Sequence, residues 1–173
     1  MFDAVRNTDC NRDEMIERMV RQWQVPLLRL CYIQLRDQAL AEDAVQETFL
    51  KAYRGLASFR EDCSEKTWLT RIAINTCRDM QRSGWFRHVD RHITTDMLPE
   101  PSIMPEEQQY DLTLAVMKLP YKYREVIILY YYQRMDTYEI STVLDLAQSS
   151  VSNRLRKGRE MLRKVLEGRG TDA

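Results

Sequence analysis

The sequence is poor in residues that break helices, with five glycines and five prolines in 173 residues. Leu, Met, Arg, Glu, Gln and Ala are abundant instead, which excludes a turn-rich β-sandwich and points to helix. No stretch reaches the roughly 20 uncharged apolar residues that span a bilayer. The opening run MFDAVRNTDCNRDEM also lacks the apolar segment of a secretory signal, so the expected location is the cytoplasm. The four cysteines, Cys10, Cys31, Cys63 and Cys77, are widely spaced and form no Cys-x-x-Cys. That spacing disfavours a zinc site and a disulfide framework, and reduced, structural thiols are expected. Histidine is scarce as well. His88 and His92, the only two, stand four apart with no carboxylate or thiol at matching spacing, so no metal is expected. No Gly-rich phosphate loop occurs. Catalysis and a cofactor are therefore not expected.

Charge of one sign is also missing overall. The 26 basic and 26 acidic residues cancel, which argues against a protein that coats nucleic acid along its whole surface. Their distribution is uneven. Residues 147–169 hold seven basic side chains (Arg154, Arg156, Lys157, Arg159, Arg163, Lys164, Arg169) against Glu160 and Glu167, whereas 96–111 hold five acidic ones and no basic one. One end is suited to phosphate and the middle is not.

Gly84, Pro99, Pro101 and Pro105 fall in a segment of poor periodicity, residues 84–105, which separates two well-patterned helical regions. The expected architecture is all-α: an N-terminal bundle of three to four helices over 1–83, a flexible linker over 84–105, and a four-helix C-terminal domain over 106–173. In the first region Met15, Met19, Trp23, Leu27, Leu30 and Ile33 recur at helical spacing through about Leu35, with Pro26 expected to kink or break the helix. A second helix is expected from about Ala39 to Arg54. A third follows the polar loop 60–66, capped by Ser64 and running from about Glu65 to Gln81. The second region reads as helices over about 105–118, 121–133, 137–144 and 149–166, with Pro120 opening the second and Asp136 or Thr137 capping the third.

The last two helices are joined by the short turn Asp145-Leu146-Ala147-Gln148, the layout of a helix-turn-helix. Ile140, Val143, Leu144, Val151, Leu155 and Leu162 can pack the pair together. This leaves Ser149, Ser150, Ser152, Asn153, Arg156 and Lys157 facing outward. Small hydroxyl and amide groups approach base edges closely, while Arg154, Lys157 and Arg159 can reach phosphates. A solvated basic surface helix is the alternative.

The runs Leu119-Pro120-Tyr121-Lys122-Tyr123-Arg124-Glu125-Val126, Tyr138-Glu139-Ile140-Ser141 and Ser150-Val151-Ser152-Asn153-Arg154-Leu155-Arg156-Lys157-Gly158-Arg159 resemble the fourth region of extracytoplasmic-function sigma factors, of the sigma-70 family. The resemblance implies that this module reads the promoter's minus-35 element. Ala41-Glu42-Asp43-Ala44-Val45-Gln46-Glu47-Thr48-Phe49-Leu50-Lys51-Ala52-Tyr53-Arg54 resembles the family's second region. That likeness implies a grip on the clamp of the largest subunit of core RNA polymerase. From the residues alone, Ala41, Ala44, Val45, Thr48 and Ala52 form one apolar stripe. Asp43, Gln46, Glu47 and Leu50 line another face, suited to a partner helix.

In the third helix Leu69, Ile72, Ala73, Thr76 and Met80 form the core stripe, and Trp68, Arg71, Asn75, Arg78 and Arg82 lie on a different face. An aromatic, an amide and several cations suit an unstacked single strand, although Trp68 fits a core position equally well. The resemblance implies that this helix and the loop before it bind the minus-10 element. The residues concerned are Arg60, Asp62, Ser64, Lys66, Trp68, Arg71, Asn75 and Arg78. The family commonly has an aromatic residue where this chain has Glu65. The tyrosines at 121, 123, 130, 131, 132 and 138 are assigned to packing first. A monomeric factor with core polymerase, promoter DNA and an anti-sigma protein as partners is implied. The rivals are a stand-alone dimeric helix-turn-helix regulator, which would read a palindrome, and a helical adaptor that binds no DNA.

Overall fold

The computed structural model describes residues 2–59, 63–83 and 106–167, with side chains described at 12–57, 59, 63–83 and 112–167. Among the described residues the chain is helical throughout, with no strand. The expected linker, and with it His88 and His92, lies outside them, as do Arg60, Asp62 and the side chain of Cys10.

Helix α1 (Phe2–Leu35) passes through Pro26 without interruption, where the sequence predicts a kink or a break. Proline removes one backbone donor, but burial of Met19 before it and of Leu27, Leu30 and Ile33 after it holds the helix on both sides. The Pro26 carbonyl accepts a hydrogen bond from Gln133 Nε2 at 3.0 Å. Arg36, in the left-handed region at φ 60°, ends the helix. Asp37 then caps α2 (Gln38–Gly55) by accepting from the Leu40 amide at 2.9 Å. A single 3₁₀ turn, Leu56–Ser58, closes that helix. Ser64 caps α3 (Glu65–Arg82) as the sequence predicts, accepting from the Thr67 amide at 3.1 Å.

The C-terminal module begins with α4 (Glu106–Lys118) and α5 (Tyr121–Ile127). The latter widens into a π-helical turn, Ile128–Tyr132, where the Gln133 amide donates five residues back to the Ile128 carbonyl at 3.1 Å. Asp136 caps α6 (Thr137–Leu144) in a reciprocal capping box with Glu139. Asp145 takes the left-handed conformation, φ 54°, that turns the chain into α7 (Gln148–Glu167). The predicted elements are thus all present, most ends shifted by a residue or two, while α1 begins at Phe2, well before the periodicity that starts at Met15.

Core positions follow the sequence stripes. Ala41, Ala44, Val45, Thr48 and Ala52 of α2 are buried, as are Ile140, Val143, Leu144, Val151, Leu155 and Leu162 in the helix pair. Gly158 lets α7 approach α5, because a Cβ there would stand 3.0 Å from Ile127 Cγ1. Burial of α3 is wider than one stripe. It extends from Leu69, Ala73 and Thr76 round through Cys77, Thr70, Ile74 and Thr67, roughly half the helix circumference. The C-terminal module accounts for part of this: α3 packs against α6, and α1 against α4 and α5. The two modules are docked on each other, an arrangement that periodicity does not reveal.

Candidate functional site

Three faces carry the residues singled out in the sequence. The first lies on α2. Its apolar stripe faces α1 and α3, which turns the opposite side outward: Asp43 and Gln46 are exposed, Leu50 is 51% exposed and Glu47 is half-buried. Glu47 is drawn toward Lys51, whose Nζ lies 3.8 Å from it and donates to Thr76 Oγ1 at 3.1 Å. Beside this row runs an apolar groove of about 490 Å³ between α1 and α2. It is lined by Ile16, Val20, Gln24, Val45, Gln46, Phe49, Leu50 and Tyr53. Gln46 and Leu50 therefore belong to both the polar row and the groove. The groove side chains Phe49 and Tyr53 were not singled out from sequence, although they follow Gln46 at the helical spacings i+3 and i+7.

The second face is on α3. Asn75 and Arg82 are exposed, Ser64 is exposed at the cap and Lys66 is half-buried. Trp68 is half-buried against the core, with its ring centroid 4.7 Å from that of Phe59. The two roles the sequence left open for it thus meet in one position, since part of the indole packs and part remains accessible. Three cations of this face are engaged from within the molecule, although Arg71, like Arg82, remains exposed. Arg71 donates through Nε and a terminal nitrogen to the Thr142 carbonyl at 3.2 and 2.8 Å, and Lys66 donates to the Gln133 carbonyl. Arg78 donates to Glu125 Oε2 at 2.9 Å. A polar cleft of about 530 Å³ remains between α3 and the end of α6, lined by Arg71, Asn75, Arg78, Val143, Leu144 and Asp145.

The third face is the outer side of α7. Ser149, Ser150, Ser152, Asn153, Arg156, Lys157 and Arg159 are all exposed. Arg156 is held along the helix by Asn153 Oδ1 at 3.2 Å and Glu160 Oε1 at 2.7 Å. Arg159 lies over the rings of Tyr130 and Tyr131, 5.2 and 5.7 Å from their centroids. Arg154 differs from its neighbours. Its side chain, which the sequence suggested for phosphates, turns inward and donates to Glu125 Oε1 at 3.0 Å. Of the six tyrosines, Tyr131 and Tyr138 are exposed at 47% and 69%, and the other four are partly covered.

Glu125 is the pivot that sequence reasoning did not single out. It is 2% exposed and engages one guanidinium with each carboxylate oxygen, Arg78 from α3 and Arg154 from α7. Burial pushes its pKa above the ordinary carboxylate range, while Arg78, Arg154 and Arg124 pull the other way. For Arg78, burial works against the charge, but Glu125 and Tyr121 together outweigh it and raise the guanidinium pKa above its ordinary value. Nothing in the local pattern distinguishes this glutamate, because its partners come from 47 residues upstream and 29 downstream. Among the described residues no group of His, Cys, Asp and Glu could hold a metal ion, and no helix is long and apolar enough to cross a membrane.

Residues 19–87 match the family described as Sigma-70 region 2, and residues 110–162 match Sigma-70, region 4. The chain is 32% identical over 154 residues to "ECF RNA polymerase sigma factor SigW" of Bacillus subtilis, covering 81% of this chain and 82% of that protein. It is 28% identical to "RNA polymerase sigma-H factor" of Pseudomonas aeruginosa, over 86% of this chain and 84% of the relative. Two solved structures share the fold at 24% identity. CnrH, in complex with the cytosolic domain of CnrY, superposes with a TM-score of 0.70, covering 93% of this chain and 91% of that one. The sigma factor RpoE of Bartonella quintana, in complex with the anti-sigma factor NepR, superposes at 0.67, covering 87% and 98%.

Proposed function

Because this chain belongs to the extracytoplasmic-function RNA polymerase sigma factors of the sigma-70 family, we propose that its three faces divide the work of promoter recognition. The α2 row of Asp43, Gln46, Glu47 and Leu50, with the adjoining groove, docks onto a helical surface of the core polymerase clamp. Carboxylates at the rim steer that encounter, and the apolar groove supplies contact area. The α3 face, with Ser64, Lys66, Trp68, Arg71, Asn75 and Arg78, and with Arg60 and Asp62 in the preceding loop, takes the opened minus-10 strand. Cations neutralise its backbone and the uncovered part of the Trp68 ring stacks on an unpaired base. The α7 row of Ser149, Ser150, Ser152, Asn153, Arg156 and Lys157 enters the major groove at the minus-35 element, where short side chains reach base edges. Arg159 reaches the flanking phosphates, and Arg154 orients the helix through Glu125.

This reading divides the chain into a second-region module over 1–83, a linker over 84–105 and a fourth-region module over 106–173. The factor works in the cytoplasm by binding and carries out no reaction of its own. Polymerase supplies most of the affinity, in keeping with a net charge of zero. The RpoE relative was solved with an anti-sigma factor, and we assign a partner of that kind to this chain. No observation favours the dimeric regulator.

The observation that carries the reading is the exposure of Asp43, Gln46 and Leu50 at one end and of Ser149, Ser152, Asn153 and Lys157 at the other in a chain of this family. The test is transcription in vitro with purified chain and core polymerase on a genomic promoter library. Discrete initiation sites that depend on the chain are expected. Their absence with an active core enzyme would remove the reading.

A further inference from the structure

Arg134 stands in a conformation that arginine seldom adopts. Its φ of 53° lies in the left-handed region, where a Cβ crowds the backbone and glycine is the residue of least strain. The fold imposes that geometry from both sides. Gln133 and Met135 are buried, and the Met135 amide donates six residues back to the Leu129 carbonyl at 3.1 Å, a closure that ends a helix through a left-handed residue. Two other non-glycine residues have a positive φ. Asp145 is of a type that tolerates it, and Arg36 is half-buried and engaged within the molecule. Arg134 is exposed, and its side chain makes no hydrogen bond or ion pair among the described residues. No contact there offsets the strain, and strained residues that bring nothing to the fold gather at binding sites.

Its place in the fold supplies the reason. Arg134 lies just before α6, the first helix of the helix-turn-helix pair, and in such pairs the first helix crosses the DNA backbone while the second reads bases. Gln148 Nε2, on the first residue of α7, donates to Thr137 Oγ1 at 2.7 Å. The start of α6 is thereby held against the start of α7, next to Ser149 and Ser150. Tyr138 is largely exposed, so this end of α6 is uncovered. The nearest carboxylates in sequence, Asp136 and Glu139, are turned to each other's backbone amides in the capping box, and neither pairs with Arg134. We propose that Arg134 is a further DNA-contact residue: its guanidinium binds a backbone phosphate beside the minus-35 element and offsets the repulsion that Asp136 and Glu139 exert on that strand. The proposal rests on the reading of α7 as the minus-35 face and adds an anchor outside that helix. Such an anchor sets the angle at which α7 enters the groove and reads no base itself.

The test uses holoenzyme made with the full chain, on a duplex promoter that the chain selects in transcription, and compares Arg134→Gly and Arg134→Lys with wild type. Glycine relieves the backbone and removes the cation, so stability and binding should move in opposite directions. The melting temperature of the Arg134→Gly chain should rise by about 2 °C. Its holoenzyme should bind the promoter about tenfold more weakly, with the slope of log K against log salt concentration shallower by about one. Lysine keeps both charge and strain, and should retain most of the affinity and the wild-type slope. A purely structural residue would lose affinity together with stability, and that result overturns the proposal, as does wild-type affinity and slope for Arg134→Gly. A second measurement locates the contact by placing a single neutral methylphosphonate linkage at each position in turn along the minus-35 element and its flanks. One position should weaken wild type and leave Arg134→Gly unaffected, whereas equal penalties for both proteins at every position put the guanidinium off the DNA. A chain that directs no transcription sinks the functional reading and this anchor with it. A working promoter bound equally well by Arg134→Gly sinks the anchor alone.

Discussion

Both terminal nitrogens of Arg18 donate to the Glu65 carboxylate, at 3.0 and 2.5 Å, and tie the flank of α1 to the first residue of α3. The family commonly places an aromatic side chain at this position. Here a bidentate ion pair does the positioning, and a carboxylate in the first helical turn also meets the positive end of the α3 dipole.

That pairing makes stability depend on pH. The hydrogen bond from Arg18 holds the Glu65 carboxyl below its ordinary range, against the effect of burial. A lowered folded-state pKa adds stability above the unfolded value, about 4.3, and the gain is lost as pH falls through the folded value. Glu65→Gln should therefore unfold at lower temperature than wild type near neutral pH, with the gap closing in acid. Half of the Arg18 side chain is exposed, so the effect should stay under about 1 kcal/mol. Thermal melts from about pH 7 down to about pH 3.5 provide the check, and a gap that widens in acid would contradict it.

Asp43→Lys with Glu47→Lys should weaken binding to core polymerase at least tenfold, about 1.4 kcal/mol, while the chain keeps its thermal stability. Asp43 is exposed and Glu47 half-buried, so charge reversal acts on the partner encounter more than on the fold. Size-exclusion or anisotropy titration with core enzyme reads the outcome. Retained affinity would displace the assigned face.

Arg154 and Lys157 should separate stability from DNA reading. Arg154→Ala removes one of two cations from a buried carboxylate and should cost about 2 kcal/mol in urea unfolding. Lys157→Ala, at an exposed site, should leave unfolding within about 0.5 kcal/mol of wild type yet reduce promoter binding by the holoenzyme. Equal stabilities for the two variants would mean that the Glu125 pairing contributes nothing.

Gly158→Ala brings opposing effects together. Alanine raises helix propensity by about 1 kcal/mol, but its Cβ would meet Ile127 Cγ1 at 3.0 Å and Cδ1 at 3.2 Å in the α5–α7 contact. Overpacking of a closed core costs about 1–3 kcal/mol, so a net loss of about 1 kcal/mol is expected in denaturant unfolding. A stabilised variant would show that Ile127 can move aside.

Much of the local design was legible without coordinates, and the reasons are local ones. Ser64 and Asp136 cap helices because a short oxygen-bearing side chain precedes a periodic apolar run. The stripes of α2 and of the α6–α7 pair follow from periodicity, and the outward row from Ser149 to Lys157 is its complement on the same helix. Of the kink or break expected at Pro26, the break does not occur: the rule that proline interrupts helices is also local, and burial of Met19 before it and of Leu27 and Leu30 after it outweighs it.

By itself, the sequence determined the helical class, the ends of the described helices after α1 to within a residue or two, and the apolar stripes of α2 and of the α6–α7 pair. These depend on neighbours three to seven residues apart. Only the tertiary structure decided that Arg154 turns inward, that Glu125 is shared by two arginines, and that Lys66, Arg71 and Arg78 spend their charge on the other module. Those outcomes join residues 29 to 71 positions apart. Whether a cation meets solvent, a carboxylate or a carbonyl depends on which surface the folded chain brings to it, and no helical period encodes that.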